Sequence, residues 1–595
     1  MRNLLCLLAA LALAGCAPNT QTTATRTATL PPEDAAFTRL SEDYLKGYLA
    51  WRPATGTSLG YHQYDGKISD FSAASLVQEL ARLKQFEKRL AAIDPQRLSV
   101  RARYDYRILS QSIKREIFSF ETQRIYVNNP MTYAGAIDVN IYIKRNFAPL
   151  EQRVRSIISI LNQAPNVMAA GRANLAETLP GPFVETAIEM AGGSVDFLAK
   201  DLVAALQTVT NKALMAEFTV ANQRAQDETT KFKEFLKTQK LPKATDAFAL
   251  GRTNYAALVA DGEMVSLPPE ELLEVGLREL HRLQTAFAEA GNEIAPGKPP
   301  KGTFQAVQKD HPTEQSLIPD AAKDLDMIRR FITDHHLIAI PSTVRPIVAE
   351  TPQYLRAMSF ASMDIPGPFE TKATEAYYYI TPPEASWPAA QKDEWLTAFN
   401  YYTTDIVSIH EAYPGHYVNF LCLNASQATK IEKIFGSYAF TEGWAHYCEQ
   451  MMVDEGFAGA PNPDGSPVDK VKAARFRMAQ IDEALLRACR FCVSIKMHCL
   501  GMSLTEGTKF FQDNCYYEEK PARQEAVRGT FDPEYLYYTL GKLEILKLRE
   551  DYRQQEGAAF SLEKFHAEML NYGSPPLRLL REMMLRDTNS WDHTL

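Results

Sequence analysis

"SIHEAYPGHY", residues 408–417, decides how the rest of the chain is read. It resembles the H-E-x-x-H helix of zinc hydrolases, in which two histidines one turn apart share a metal and the glutamate beside the first serves as base. Here the second histidine comes two residues late, after Pro414-Gly415. On a regular helix, residues four apart nearly overlay, whereas residues six apart point about 120° away from each other. An unbroken helix therefore cannot aim His410 and His416 at one ion. Proline inside a helix lacks the N–H and clashes with the preceding turn. Glycine tolerates unusual dihedrals, positive φ among them. The pair is expected to bulge or break the helix and turn His416 back toward His410.

Zinc hydrolases usually present three protein ligands and leave one position open. The chain has eleven histidines. Three of them, His410, His416 and His446, share a short window with Glu411, Glu442 and Glu449. "FTEGWAHYCEQM", 440–451, reads as a helix with Phe440, Trp444, Tyr447 and Met451 on its apolar side. Glu442, His446 and Glu449 fall at i, i+4 and i+7, on one polar face. Glu442 is the expected third ligand. His446 and Glu449 are expected behind the ligands, holding them in orientation. Glu411 is the natural general base for a water on the metal. Taken singly, a helix histidine is more often structural than a ligand. The case rests on the histidine pair, the Pro-Gly break and the glutamate-bearing helix together. One zinc ion per chain is the expected cofactor.

Working outward, helical periodicity dominates. In 75–93, Leu76, Leu80, Leu83, Phe86 and Leu90 recur in steps of three and four; in 270–290 so do Leu273, Leu277, Leu280 and Phe287. Similar stripes run through 150–163, 183–208 and 540–552. Pro/Gly-rich breaks fall at 294–304 and 456–467. The clearest β signal is "TEAYYYITPP", 374–383, with a second at 342–350. The strand around the tyrosines is open to two readings: an edge that pairs with an extended peptide, or a covered internal strand. The expected fold class is mainly α, with two lobes around a cleft and a small β-sheet near the active-site helix. The N-terminal helical lobe is placed at 36–340 and the catalytic lobe at 341–595.

The first residues are set apart. "MRNLLCLLAALALAGC" has one basic residue, then an apolar run from Leu4 to Ala14, too short to span a bilayer comfortably. Leu13-Ala14-Gly15-Cys16 resembles a bacterial lipobox, so 1–15 reads as a signal peptide and Cys16 as the lipidated residue. Residues 16–35 read as a flexible Thr/Ala/Pro-rich tether. Ala17 stands where an inner-membrane retention aspartate would, which points to the outer membrane or the periplasmic face of the envelope. No later segment reads as membrane-spanning. A net charge of −8 without a long basic run argues against a nucleic-acid partner. Cys489 and Cys492 form a C-x-x-C pair inside an apparent helix, and read as buried thiols or a structural disulfide.

"HEAYPGH" followed by "TEGWAHYCE" resembles the bacterial domain-of-unknown-function family 885, whose members group with the zincin-like metallopeptidases. "TSLGYHQYDGKISDFS" (57–72) and "YYTLGKLEILKLRE" (537–550) resemble its N- and C-terminal stretches. The resemblance implies a large zincin-like helical fold, His410, His416 and Glu442 as ligands, and Glu411 as base. It departs from the family at Tyr417, Asn419 and Ser494. A hydrolase also needs a donor for the developing oxyanion. Tyr538 and His498 are the candidates, with a packed aromatic and a core histidine as the alternatives. The leading expectation is an exported, lipid-anchored zinc hydrolase with a peptide substrate. The rival readings are a hydrolase of another amide or ester, such as cell-wall peptides or amino-acid conjugates, and a non-catalytic metal-containing binding lipoprotein.

Overall fold

Each apolar stripe in the sequence winds into a helix. Ala73–Ala91, Leu150–Leu161, Pro269–Ile294 and Tyr537–Glu556 follow the periodicity closely. The 183–208 stripe is Gly181–Asp196, continued through a π turn to Leu202–Ala205. The computed structural model describes residues 32–352, 356, 360–457 and 469–595. The signal segment, Cys16, most of the tether and most of the 456–467 break lie outside the described residues. The last tether residues are already helical, because the first helix begins at Pro32.

A central helix, Lys470–Cys499, organises the core. From Ala484 to Ile495 every residue is buried, the polar Arg487, Arg490 and Ser494 included, so the helix is enclosed on all sides. It packs along Pro269–Ile294 and touches Tyr401–Glu411, Tyr438–Asp454 and Tyr537–Glu556. The largest apolar core therefore runs from Tyr255 to Leu585 and draws on both sides of residue 340. Two further cores are built mainly from the N-terminal half, one spanning Tyr133–Leu236 with Ala373, the other Phe37–Ile113 with Ile431 and Leu579. Cys489 and Cys492 are buried free thiols on the central helix, so no disulfide joins them. Among the described residues no helix is long and apolar enough to cross a membrane.

Three short strands form the only named sheet among the described residues: β1 (Ile347–Glu350), β2 (Ala361–Asp364) and β3 (Tyr377–Ile380). Their order is β1-β3-β2, with β1 parallel and β2 antiparallel to β3. The tyrosine run is thus the internal strand, which removes the edge reading of 374–383. The edge beside the histidine helix is β2, a strand the sequence did not mark. The N-terminal half clamps the end of this strand. Arg145 donates from Nη2 to Asp364 Oδ1 (2.8 Å) and from Nη1 to the Glu375 carbonyl (2.8 Å). The stretch at 57–72 packs nearby: Tyr61 stacks on Phe369 (4.8 Å), and His62 Nε2 lies 2.8 Å from Glu370.

Candidate metal centre

The histidine helix, Tyr401–Glu411, is started by Asn400, whose side chain accepts from the Thr403 N–H. It stops at Glu411, and a second helix, His416–Ala425, begins immediately after Gly415. The expected bulge or break is a break. The linker folds back on the first helix: Tyr413 N–H donates to the Ser408 carbonyl (3.2 Å) and Gly415 N–H to the Ile409 carbonyl (2.9 Å). Trp444 Nε1–H pins it from the far side, donating to the carbonyls of Pro414 (3.0 Å) and Gly415 (3.3 Å).

One expectation about this turn is corrected. Gly415 does not adopt positive φ; its φ is −65°. Glycine is required there by close approach. A Cβ on residue 415 would fall deep inside van der Waals contact of the His410 carbonyl oxygen, and against that of Ile409.

The cross helix, Tyr438–Asp454, brings the third donor. Ser437 caps it, accepting from Phe440 N–H (2.9 Å). Gly443 lies against Gly541 of the C-terminal helix, where a Cβ on either residue would strike the other helix's backbone. This close crossing seats Glu442 opposite the two histidines. Glu442 Oε2 is 3.5 Å from His410 Nε2 and 3.5 Å from His416 Nε2. The two imidazole rings stand nearly perpendicular, 4.8 Å between centroids.

Among the described residues, His410, His416 and Glu442 are the one group of three donors close enough to hold a metal ion. Zinc fits it. Tetrahedral bonds of about 2.0–2.1 Å separate the donors by about 3.4 Å, close to the two spacings here. Glu442 Oε2 is a buried oxygen with no hydrogen-bond partner, as a ligand atom would be. The ring of His410 is set from behind: Nδ1–H donates to Glu449 Oε1 (2.6 Å), which leaves the Nε2 lone pair for the centre. Burial opposes protonation of His410, but Glu442 and Glu449 outweigh it and raise its pKa to about 10 without metal. Burial likewise works against the Glu442 carboxylate, yet the nearby imidazoles, His416 first and then His410, hold its pKa well below the usual range.

A family profile described as "Bacterial protein of unknown function (DUF885)" matches residues 53–584. The chain belongs to this family. No curated protein matches it. Two solved structures share the fold of this DUF885 chain. One is described as a putative lipoprotein of unknown function from Shewanella oneidensis: 22% identical, TM-score 0.76, covering 92% of this chain and 100% of its own. The other is described as a putative lipoprotein from Colwellia psychrerythraea: 16% identical, TM-score 0.74, covering 94% and 100%.

The remaining predicted residues of the DUF885 site divide. Glu411 follows His410 directly, and its Oε2 accepts from the Met363 N–H of β2 (2.9 Å). Glu449 and His446 stand together behind His410: His446 Nδ1–H donates to Glu449 Oε2 (3.0 Å), and burial keeps His446 neutral, its pKa lowered to about 3. His446 touches Glu449 and is not one of the three converging donors. His498 is not brought to the centre. Its Nε2–H donates to the Gly529 carbonyl (2.8 Å) and its Nδ1 accepts from Leu250 N–H (3.3 Å), so both ring nitrogens are occupied by backbone. Burial lowers its pKa to about 4. It is a core histidine, and its role as an oxyanion donor is withdrawn. Tyr538 packs its ring against Tyr438 (5.7 Å), which lies one turn before Glu442. Two contributors were missed. The Met363 amide is backbone and leaves no side-chain signal. The indole of Trp444 falls on the apolar side of its helix, where the sequence gives no sign of its N–H donation to the linker.

Proposed function

We propose that this DUF885 protein is an exported, lipid-anchored zinc hydrolase acting on peptides, with a zincin-like arrangement of ligands and base. The observation that carries the reading is the convergence of His410, His416 and Glu442 at zinc-like spacing, with Glu411 next to His410 in the chain and outside the ligand set. Zinc bound there supplies a Lewis acid that makes water acidic near neutrality and polarises a carbonyl oxygen. Glu411 takes the proton of the attacking water and returns it to the leaving nitrogen. The Met363 N–H holds the carboxylate in place for both transfers.

β2 supports the peptide class. Its register with β3 and the Met363–Glu411 bond direct the Met363 N–H away from β3, toward the histidine helix. The outer edge of β2 is where an extended backbone would add by strand pairing. The test is a mixed peptide library incubated with the soluble mature chain, with and without chelator, and read by mass spectrometry. New termini that vanish with chelator support the reading. An unchanged library with a zinc-loaded protein removes it.

The anchor rests on Leu13-Ala14-Gly15-Cys16, and on the description of both structural neighbours as putative lipoproteins. Cys16→Ser is expected to move the protein from the membrane to the soluble exported fraction. A variant that stays as membrane-bound as the parent would end the lipobox reading.

A further inference from the structure

We infer that Arg487, on the central helix, is the positioning residue that fixes the Glu449 carboxylate and, through it, the ring of His410. The inference rests on the zinc reading above. Glu449 is fully buried and is met from three sides, by hydrogen bonds from two imidazoles and by the charge of a guanidinium. His410 Nδ1 and Arg487 Nη2 share Oε1, at 2.6 and 3.3 Å, and His446 takes Oε2. The two imidazoles contribute hydrogen bonds, but a histidine that ligates a metal brings no charge of its own. A buried carboxylate left without a cation is costly. Arg487 is the cation in contact with it.

The guanidinium is itself built in. Arg487 is 8% exposed. Its Nη1 donates to Glu483 twice, at the carboxylate (2.6 Å) and the carbonyl (2.8 Å), one turn earlier on the same helix. Tyr538 lies under its plane at 5.8 Å, and Arg490, held by both oxygens of Glu525, covers the same ring at 5.3 Å. The fork is therefore anchored at Glu483, backed by Tyr538, and left with Nη2 facing Glu449. A lysine carries the charge but cannot hold two carboxylates in one plane. This assigns Tyr538 a place beneath the arginines, supporting the ligand's partner.

The test measures zinc affinity by competition with a chromophoric chelator, alongside melting of the metal-free proteins. Arg487→Met is expected to weaken zinc about 10–100-fold, and Arg487→Lys to recover part of the loss. A lower metal-free melting temperature with unchanged zinc affinity would make the arginine purely structural and overturn the inference. If Arg487→Met does not fold, Glu483→Ala removes the carboxylate that anchors Nη1 while keeping the cation; it is expected to weaken zinc, and parental affinity there overturns the inference equally. A parent chain that binds no zinc would instead sink the metal reading itself, which separates the two failures.

Discussion

Glu411→Gln is expected to lose turnover by about 10²–10⁴-fold while keeping zinc. The amide has the shape of the carboxylate, and its oxygen can still accept from the Met363 N–H that now holds Glu411 Oε2. What it cannot do is take a proton from water at neutral pH. The three ligand donors are untouched, so metal content should equal that of the parent. His410→Ala is the contrasting variant: it removes one of three donors, and zinc and turnover should fall together. Metal analysis and peptide hydrolysis on the same preparations separate the two cases. Parental activity in Glu411→Gln would dismiss Glu411 as base and leave the metal centre standing without a mechanism.

Much of this site was legible because its chemistry is local in sequence. The i, i+6 spacing of His410 and His416 is incompatible with a regular helix, and Pro414-Gly415 marks where the break must fall. Glu442 and Glu449 could be placed because a seven-residue step fixes a helix face whatever surrounds it. Long helices such as Pro269–Ile294 were equally plain, since their apolar stripes repeat over many turns. The failures share a different cause. β2, "ASMD", is four residues with neither alternation nor β-branched side chains, so its strand character comes from pairing with β3. Without β2, the tyrosine strand could not be known to be internal. His498 sits on a helix and looks free in sequence. Its two partners are backbone groups 248 and 31 residues away. Arg487 is a charge in the buried middle of a helix. Such a residue signals a hidden partner, but which acid it meets is decided by helix packing alone.

Gly415 shows the same limit within a single turn, and it supplies the second large effect. Sequence reasoning expects positive φ at the glycine after proline, yet φ here is −65°, with ψ at −128°. The constraint is space: the linker N–H groups return to the carbonyls of Ser408 and Ile409, which presses residue 415 onto the last turn of the histidine helix. Any Cβ there collides with the His410 carbonyl, and this is backbone that cannot rotate away. Gly415→Ala should therefore force the linker outward, carrying His416 off its 3.5 Å spacing from Glu442 and loosening the Trp444 anchor. Zinc content is expected to drop toward that of His410→Ala, with far-ultraviolet circular dichroism unchanged because the distant helices keep their own cores. An alanine suffices as the probe, since a single methyl group tests contact without asking for positive φ. Parental zinc in Gly415→Ala would mean that the two helix ends can separate without moving the ligands, and the close return of the linker would no longer explain how a six-residue spacing grips one ion.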